Sequence, residues 1–164
     1  MAKIELEELF QAQAKLDATI AENHHVSYAT TRHRRIMACY VEIGELANVT
    51  RCFKYWSNKG PEEDAIVLDE FADGLHFFLS LGIDIQTSKR SYNLTKHAEN
   101  LTDQFLEVYH RLDVYRKTQN DKTFIKAFQA FFNLLPLLGY RWKQLKDAYY
   151  KKLGVNYNRQ ETNY

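Results

Sequence analysis

The chain has 164 residues and sets 22 Lys and Arg against 21 Asp and Glu, for a formal net charge of +1. That length favours one domain that buries roughly two-thirds of its unfolded surface, and the balanced charge argues against a general nucleic-acid binder or a polybasic membrane anchor. Cys39 and Cys52 cannot staple a secreted disulfide scaffold, the acidic start MAKIELEELF is no signal peptide, and no apolar run is long enough to span a bilayer, so the expectation is a cytoplasmic protein with a single domain over 1–164.

Two prolines and six glycines leave almost nothing that reads as a hairpin, so the predicted class is all-α. Eleven Tyr and ten Phe point to a core or pocket built with aromatic faces. Ile4, Leu6, Leu9, Phe10, Leu16 and Ile20 recur near a 3.6-residue period, predicting a first helix over 4–22. Residues 23–31 read as a polar loop. Residues 31–56 lack Pro and hold only Gly44, predicting one long helix. At Ser57–Pro61, Gly60 stops that helix and Pro61 opens the next, with Glu62, Glu63 and Asp64 in its first turn, where the helix dipole favours acids. This helix is predicted to run to Leu81 and stop at Gly82, followed by a loop over 83–93. A fourth helix is predicted over 95–118, a fifth over 122–138 capped by Asn120 or Asp121, and a sixth over 141–153. The last residues, 154–164, show no period and read as a mobile tail.

Four acids stand out. Glu42 and Glu45 are spaced i, i+3, as are Glu70 and Asp73, so each pair shares a helix face. At about 100° per residue, both pairs fall in sectors that also hold apolar residues: Ala38, Leu46, Val49, Phe53 and Trp56 on one helix, Ile66, Phe77 and Leu81 on the other. A carboxylate buried without a partner costs several kcal/mol, so acids on such faces need a metal or a paired cation. Glu42 with Asp73, and Glu45 with Glu70, are symmetric about one point between residues 57 and 58, close to the predicted turn. In an antiparallel hairpin the mismatch is about 1.5 residues, or roughly 2 Å, so four carboxylates meet at one level.

No basic residue sits near the acids on these arcs unless Arg35 reaches back from two turns earlier. All-oxygen ligation suits Mg²⁺ or Mn²⁺. A di-iron bundle wants Glu-x-x-His pairs; His76 follows Asp73 by three, but Asn48 stands at the matching place after Glu45. Two or more Mg²⁺ ions holding a polyphosphate is therefore the better reading. The all-round apolar character of the 62–81 helix, with Leu68, Leu75 and Leu79 opposite Ile66 and Phe77, points to a buried helix in a dimer core.

The segments EIGELANVTRCFKYWS (42–57) and DEFADGLHFFLSLG (69–82) resemble the two metal-binding helices of the dimeric, all-α dUTP diphosphatases, a family of the all-α NTP pyrophosphatases marked by an ExxE helix followed by an ExxD helix. The resemblance extends to LFQAQAKLD (9–17) and to KLGVNYNRQETNY (152–164). It implies a bundle of about six helices around an antiparallel metal-binding hairpin, and hydrolysis of dUTP and dUDP to dUMP by water activated among Mg²⁺ ions. It implies metal-ligand roles for Glu42, Glu45, Glu70 and Asp73, with one of Glu42 and Glu45 holding or deprotonating the water. Gln13 and Asn156 match nucleoside contacts; Trp56, His76 and Phe77 match an aromatic wall around uracil and deoxyribose; Lys152, Arg159 and Tyr164 match a C-terminal segment that closes on the phosphates. Two positions depart from the pattern: Val49 stands where a further acid is expected, and Asn163 replaces a glycine before the last Tyr. Two alternatives stay open: an NTP pyrophosphatase for another base, and a non-catalytic helical protein that works by docking a partner as a regulator.

Overall fold

A computed structural model describes residues 2–96 and 98–164. Its elements run β1 (Lys3–Glu5), α1 (Glu7–His24), α2 (Tyr28–Thr50), α3 (Asp64–Asp84), β2 (Ser91–Asn93), α4 (Leu101–Thr118), α5 (Asp121–Phe132), α6 (Leu134–Leu138) and α7 (Trp142–Glu161). The class is all-α, as the Pro- and Gly-poor sequence predicts. The first departure is at the start, where Ile4, flanked by exposed Lys3 and Glu5, belongs to a strand and buried Leu6 sits at the N-cap of α1. Ile4 pairs with Tyr92 across the two-stranded antiparallel ribbon, and both are buried.

Helix boundaries moved for identifiable reasons. The predicted loop over 23–31 shrinks because Ser27 caps α2, accepting from the Thr30 N–H while the Thr30 hydroxyl accepts from the Ser27 N–H. α2 stops at Thr50, not at residue 56, because Arg51 takes a left-handed φ of 59° as its C-cap. The Arg51 guanidinium then donates to the Ser57 hydroxyl at 2.9 Å and the Lys59 carbonyl at 3.2 Å, folding the connector back. Phe53 and Trp56 thereby leave the helix face assigned to them. Pro61 does not open α3: the helix starts at Asp64 behind Glu63, and the Glu62 N–H donates to the Val49 carbonyl at 3.0 Å.

Gly82 does not end α3 either. A Cβ there would lie 3.0 Å from both Phe10 and Phe124, so this glycine permits close packing inside a continuing helix. α4 starts at Leu101, capped by Asn100, instead of residue 95. Asn120 caps α5 through the Thr123 N–H. The predicted fifth helix divides at Asn133, because Pro136 offers no N–H to the Phe132 carbonyl. The irregular tail expected over 154–164 is corrected most clearly: α7 continues unbroken to Glu161.

The core is largely aromatic. Phe78 stacks on Phe128 at 5.1 Å and Phe128 on Phe132 at 4.4 Å, with Phe71, Phe124 and Phe131 packed edge-on or tilted around them. α3 lies at the centre, against α1, α2, α5 and α7. Its apolar character on all sides is thus explained within one chain and does not require a dimer core.

Candidate active site

α2 and α3 form the antiparallel hairpin that the acid spacing requires. Oxygens of Glu42, Glu45 and Glu70 lie within 4.8 Å of one another, and Glu70 belongs also to a second such group with Asp69 and Asp73. Glu42 Oε2 and Glu70 Oε2 are buried without a hydrogen-bond partner among the described residues. Burial first, then the charges of Asp73, Glu45 and Glu70, push Glu42 up to about 8. Burial, followed by Asp73, Glu45 and Asp69, pushes Glu70 up to about 7. Unpartnered oxygens on mutually repelling carboxylates are what a hard cation relieves, so this donor set fits Mg²⁺ or Mn²⁺.

Arg35 does not reach back to the acids. It binds Asp84 at 2.6 Å and the Tyr28 carbonyl at 2.6 Å, at the far end of α3. The cation that does meet the cluster is Lys152 from α7, only 7% exposed, whose ammonium lies 3.0 Å from Asp69 and 3.1 Å from Asp73. Burial raises the Asp73 pKa and the Lys152 charge opposes that rise. Asp69 escaped the sequence reading, which sought only i, i+3 pairs; its signal was an i, i+4 relation to Asp73 on the same face.

A cavity of about 670 Å³ opens beside the cluster. Glu42 and Asp73 of the acid cluster line it, together with Gln13, His76, Phe77, Asn156 and Arg159. Gln13 is 3% exposed, and its amide is already engaged. Its Oε1 accepts from the Tyr149 hydroxyl at 3.1 Å and lies 2.6 Å from His76 Nδ1, while its Nε2 donates to Asp17 at 2.9 Å. Because Gln13 Oε1 is an acceptor, His76 carries its proton on Nδ1. Burial pushes His76 down to about 4, and its ring stacks on Tyr149 at 4.3 Å, so it is a neutral wall of the cavity.

Three sequence-predicted contacts lie elsewhere in the chain. Trp56 is 64% exposed on the α2–α3 connector, edge-on to Phe53 and Tyr55, and does not line the cavity. Tyr164 is 81% exposed, with the Arg159 guanidinium 4.6 Å from its ring centre. Lys152 is on the acids and not on the cavity wall. The two departures from the family pattern also have places. Val49 packs against the core, and Asn163 takes φ 57°, a left-handed conformation that glycine and asparagine accept most easily. Asp17 and Tyr28, which the sequence reading did not single out, line the cavity and bind each other at 2.9 Å.

The sequence model of a family described as dUTPase matches residues 5–164. The chain belongs to the dUTPase family. It is therefore an enzyme, a hydrolase of the pyrophosphate linkage in dUTP at the level of the family. No individual curated protein is similar enough to match it. No helix among the described residues is long and apolar enough to cross a membrane.

Proposed function

We propose that this chain hydrolyses dUTP, and dUDP, to dUMP with Mg²⁺, or Mn²⁺ in its place, at the hairpin carboxylates. The supporting observation is that oxygens of Glu42, Glu45 and Glu70 lie within 4.8 Å of one another, and that Glu42 also lines a cavity of about 670 Å³. Glu42, Glu45, Glu70 and Asp73 would hold two or more ions, which neutralise phosphate charge and lower the pKa of bound water. One of Glu42 and Glu45 would orient the attacking water or take its proton. The Arg159 guanidinium, already on the cavity wall, suits a phosphate fork. The Lys152 ammonium, held by Asp69 and Asp73, is near enough to the acids to neutralise an incoming phosphate. His76 and Phe77 give the sugar an uncharged wall, and the Asn156 amide lines the same space.

We further propose a homodimer acting on a small-molecule nucleotide, without nucleic-acid or membrane partners. Met37 (62% exposed) and Val41 (44%) lie one turn apart on α2, and Leu106 (62%) lies on α4, whose Tyr109 stacks on Tyr40. These apolar groups support a self-association face. Free thiols at Cys39 and Cys52 are in keeping with a cytoplasmic protein. The test of function is a panel of dUTP, dTTP, dCTP and UTP with purified protein and Mg²⁺. Selective conversion of dUTP to dUMP and pyrophosphate is expected; equal or better turnover of another triphosphate would reassign the substrate.

A further inference from the structure

Two groups of carboxylates share Glu70, and the structure leaves them in different states. Oxygens of Glu42, Glu45 and Glu70 form the first group, and oxygens of Asp69, Glu70 and Asp73 form the second. In the first, Glu42 Oε2 is buried with no partner among the described residues. The second already holds a positive charge. The Lys152 ammonium lies 3.0 Å from Asp69 Oδ2 and 3.1 Å from Asp73 Oδ1, with Asp73 Oδ2 at 3.4 Å.

The fold puts that ammonium there. α7 packs against α3; Tyr149, one turn before Lys152, is fully buried, and the neighbouring Leu153 packs on the core. These contacts fix the register of the two helices and hold Lys152 over Asp69 and Asp73, which stand one turn apart on one face of α3. An ammonium this buried needs an anion beside it. Both aspartates keep spare lone pairs, so the number of ligand atoms does not exclude a metal ion from them. Charge does. A divalent ion on Asp73 would share that partly buried carboxylate with an ammonium, and like charges so close repel strongly away from bulk water.

We propose that Lys152 is the resident cation of the second group and so sets the order of metal binding. A first ion enters at Glu42, Glu45 and Glu70, and a second reaches Asp73 only as the ammonium moves to another anion. This rests on the carboxylate metal site proposed above and adds what controls its occupancy. The polyphosphate of a nucleotide is such an anion, so the second ion and the substrate favour each other's binding.

The test is Mn²⁺ binding to metal-stripped, nucleotide-free protein, read from the electron paramagnetic resonance signal of the free ion. The unaltered chain is compared with Lys152→Met and Lys152→Arg. Removing the charge should tighten the second ion at least about fivefold, the lower end of ordinary coupling between sites, and the first ion less. Lys152→Arg keeps the charge and should bind both ions as the unaltered chain does. Equal second-ion affinity in all three proteins would mean that Lys152 only ties α7 to α3. An equal gain for both ions would mean that it acts as diffuse background charge. Either result overturns the proposal and leaves the metal site standing. If Lys152→Met lacks the helical circular dichroism of the unaltered chain, Lys152→Gln takes its place. Its amide can still donate to the aspartates without a charge, and the same results decide. No Mn²⁺ bound by any of these proteins would overturn the metal reading itself, and the order of binding with it.

Discussion

Replacing Glu42 by Gln keeps the side chain's size and removes one of the repelling charges, so it should act on stability and on catalysis with opposite signs. In the metal-free chain Glu42 faces the charges of Asp73, Glu45 and Glu70 from a half-buried position. Removing its ionisation relieves repulsion, so the metal-free variant should melt at or above the temperature of the unaltered chain. With Mg²⁺ the order reverses. At a hundred times its Kd, a ligand of the folded state alone adds about 2.7 kcal/mol, and for a domain of this size that is roughly 5–10 °C in Tm. If loss of one charged ligand weakens Mg²⁺ about a hundredfold, the same concentration stands at the variant's Kd. The gain then shrinks to about 0.4 kcal/mol, or roughly 1–2 °C. Differential scanning fluorimetry on EDTA-treated protein, with Mg²⁺ titrated back, reads both limbs, and dUTP turnover on the same samples should fall at least about a hundredfold. Equal Mg²⁺ shifts in the two proteins would refute the ligand role of Glu42. So would a metal-free variant that melts well below the unaltered chain yet keeps its turnover.

Metal-free protein should lose stability as pH rises. Glu42 and Glu70 titrate near 8 and 7 in the folded chain against 4.5 ordinarily, so the folded state keeps protons that the unfolded chain has released, and unfolding releases them. The melting temperature should therefore decline between about pH 5 and pH 8 and, with Mg²⁺ saturating, level off or rise; a flat metal-free profile would contradict the crowding of these carboxylates. Glu45→Gln should lower dUTP turnover at least about a hundredfold with the helical circular dichroism unchanged, and a folded variant with full turnover removes Glu45 from the site. Gly82→Ala gains about 1 kcal/mol of helix propensity but drives a methyl against Phe10 and Phe124, an overpacking cost of about 1–3 kcal/mol. Urea unfolding should show net destabilisation, and a stabilised variant would show that both rings can give way.

What the sequence made legible was the part of the site where chemistry and periodicity coincide. Glu42, Glu45, Glu70 and Asp73 are regularly spaced acids on otherwise apolar faces, and their symmetry about a turn places them together without knowledge of the rest of the fold. The helix ends were less legible because tertiary contacts overrode local punctuation. Gly60 and Pro61 mark the connector but do not fix where α2 ends or α3 begins, since Arg51 closes α2 and Glu63 precedes Asp64. Gly82 reads as a stop in sequence and serves as a gap for two phenylalanine rings in space.

The continuation of the C-terminal helix beyond the predicted 141–153 was hidden by the polarity of its inward face. Tyr149, Lys152, Asn156 and Arg159 follow helical spacing, but three of these four are polar, so a hydrophobic period is absent although the face turns toward the acids and the cavity. Gln13 and Asp17 hide in the same way on α1. A helix that lines a polar site shows its period only when polar residues are counted as inward-facing.

The most direct test of the central claim is dUTP hydrolysis by EDTA-stripped protein as Mg²⁺ is titrated back, following dUMP and pyrophosphate together. The carboxylate site predicts no turnover without metal, equal yields of the two products as Mg²⁺ rises, and no comparable recovery by folded Glu45→Gln. Metal-independent formation of dUMP, or full recovery by that variant, would contradict it.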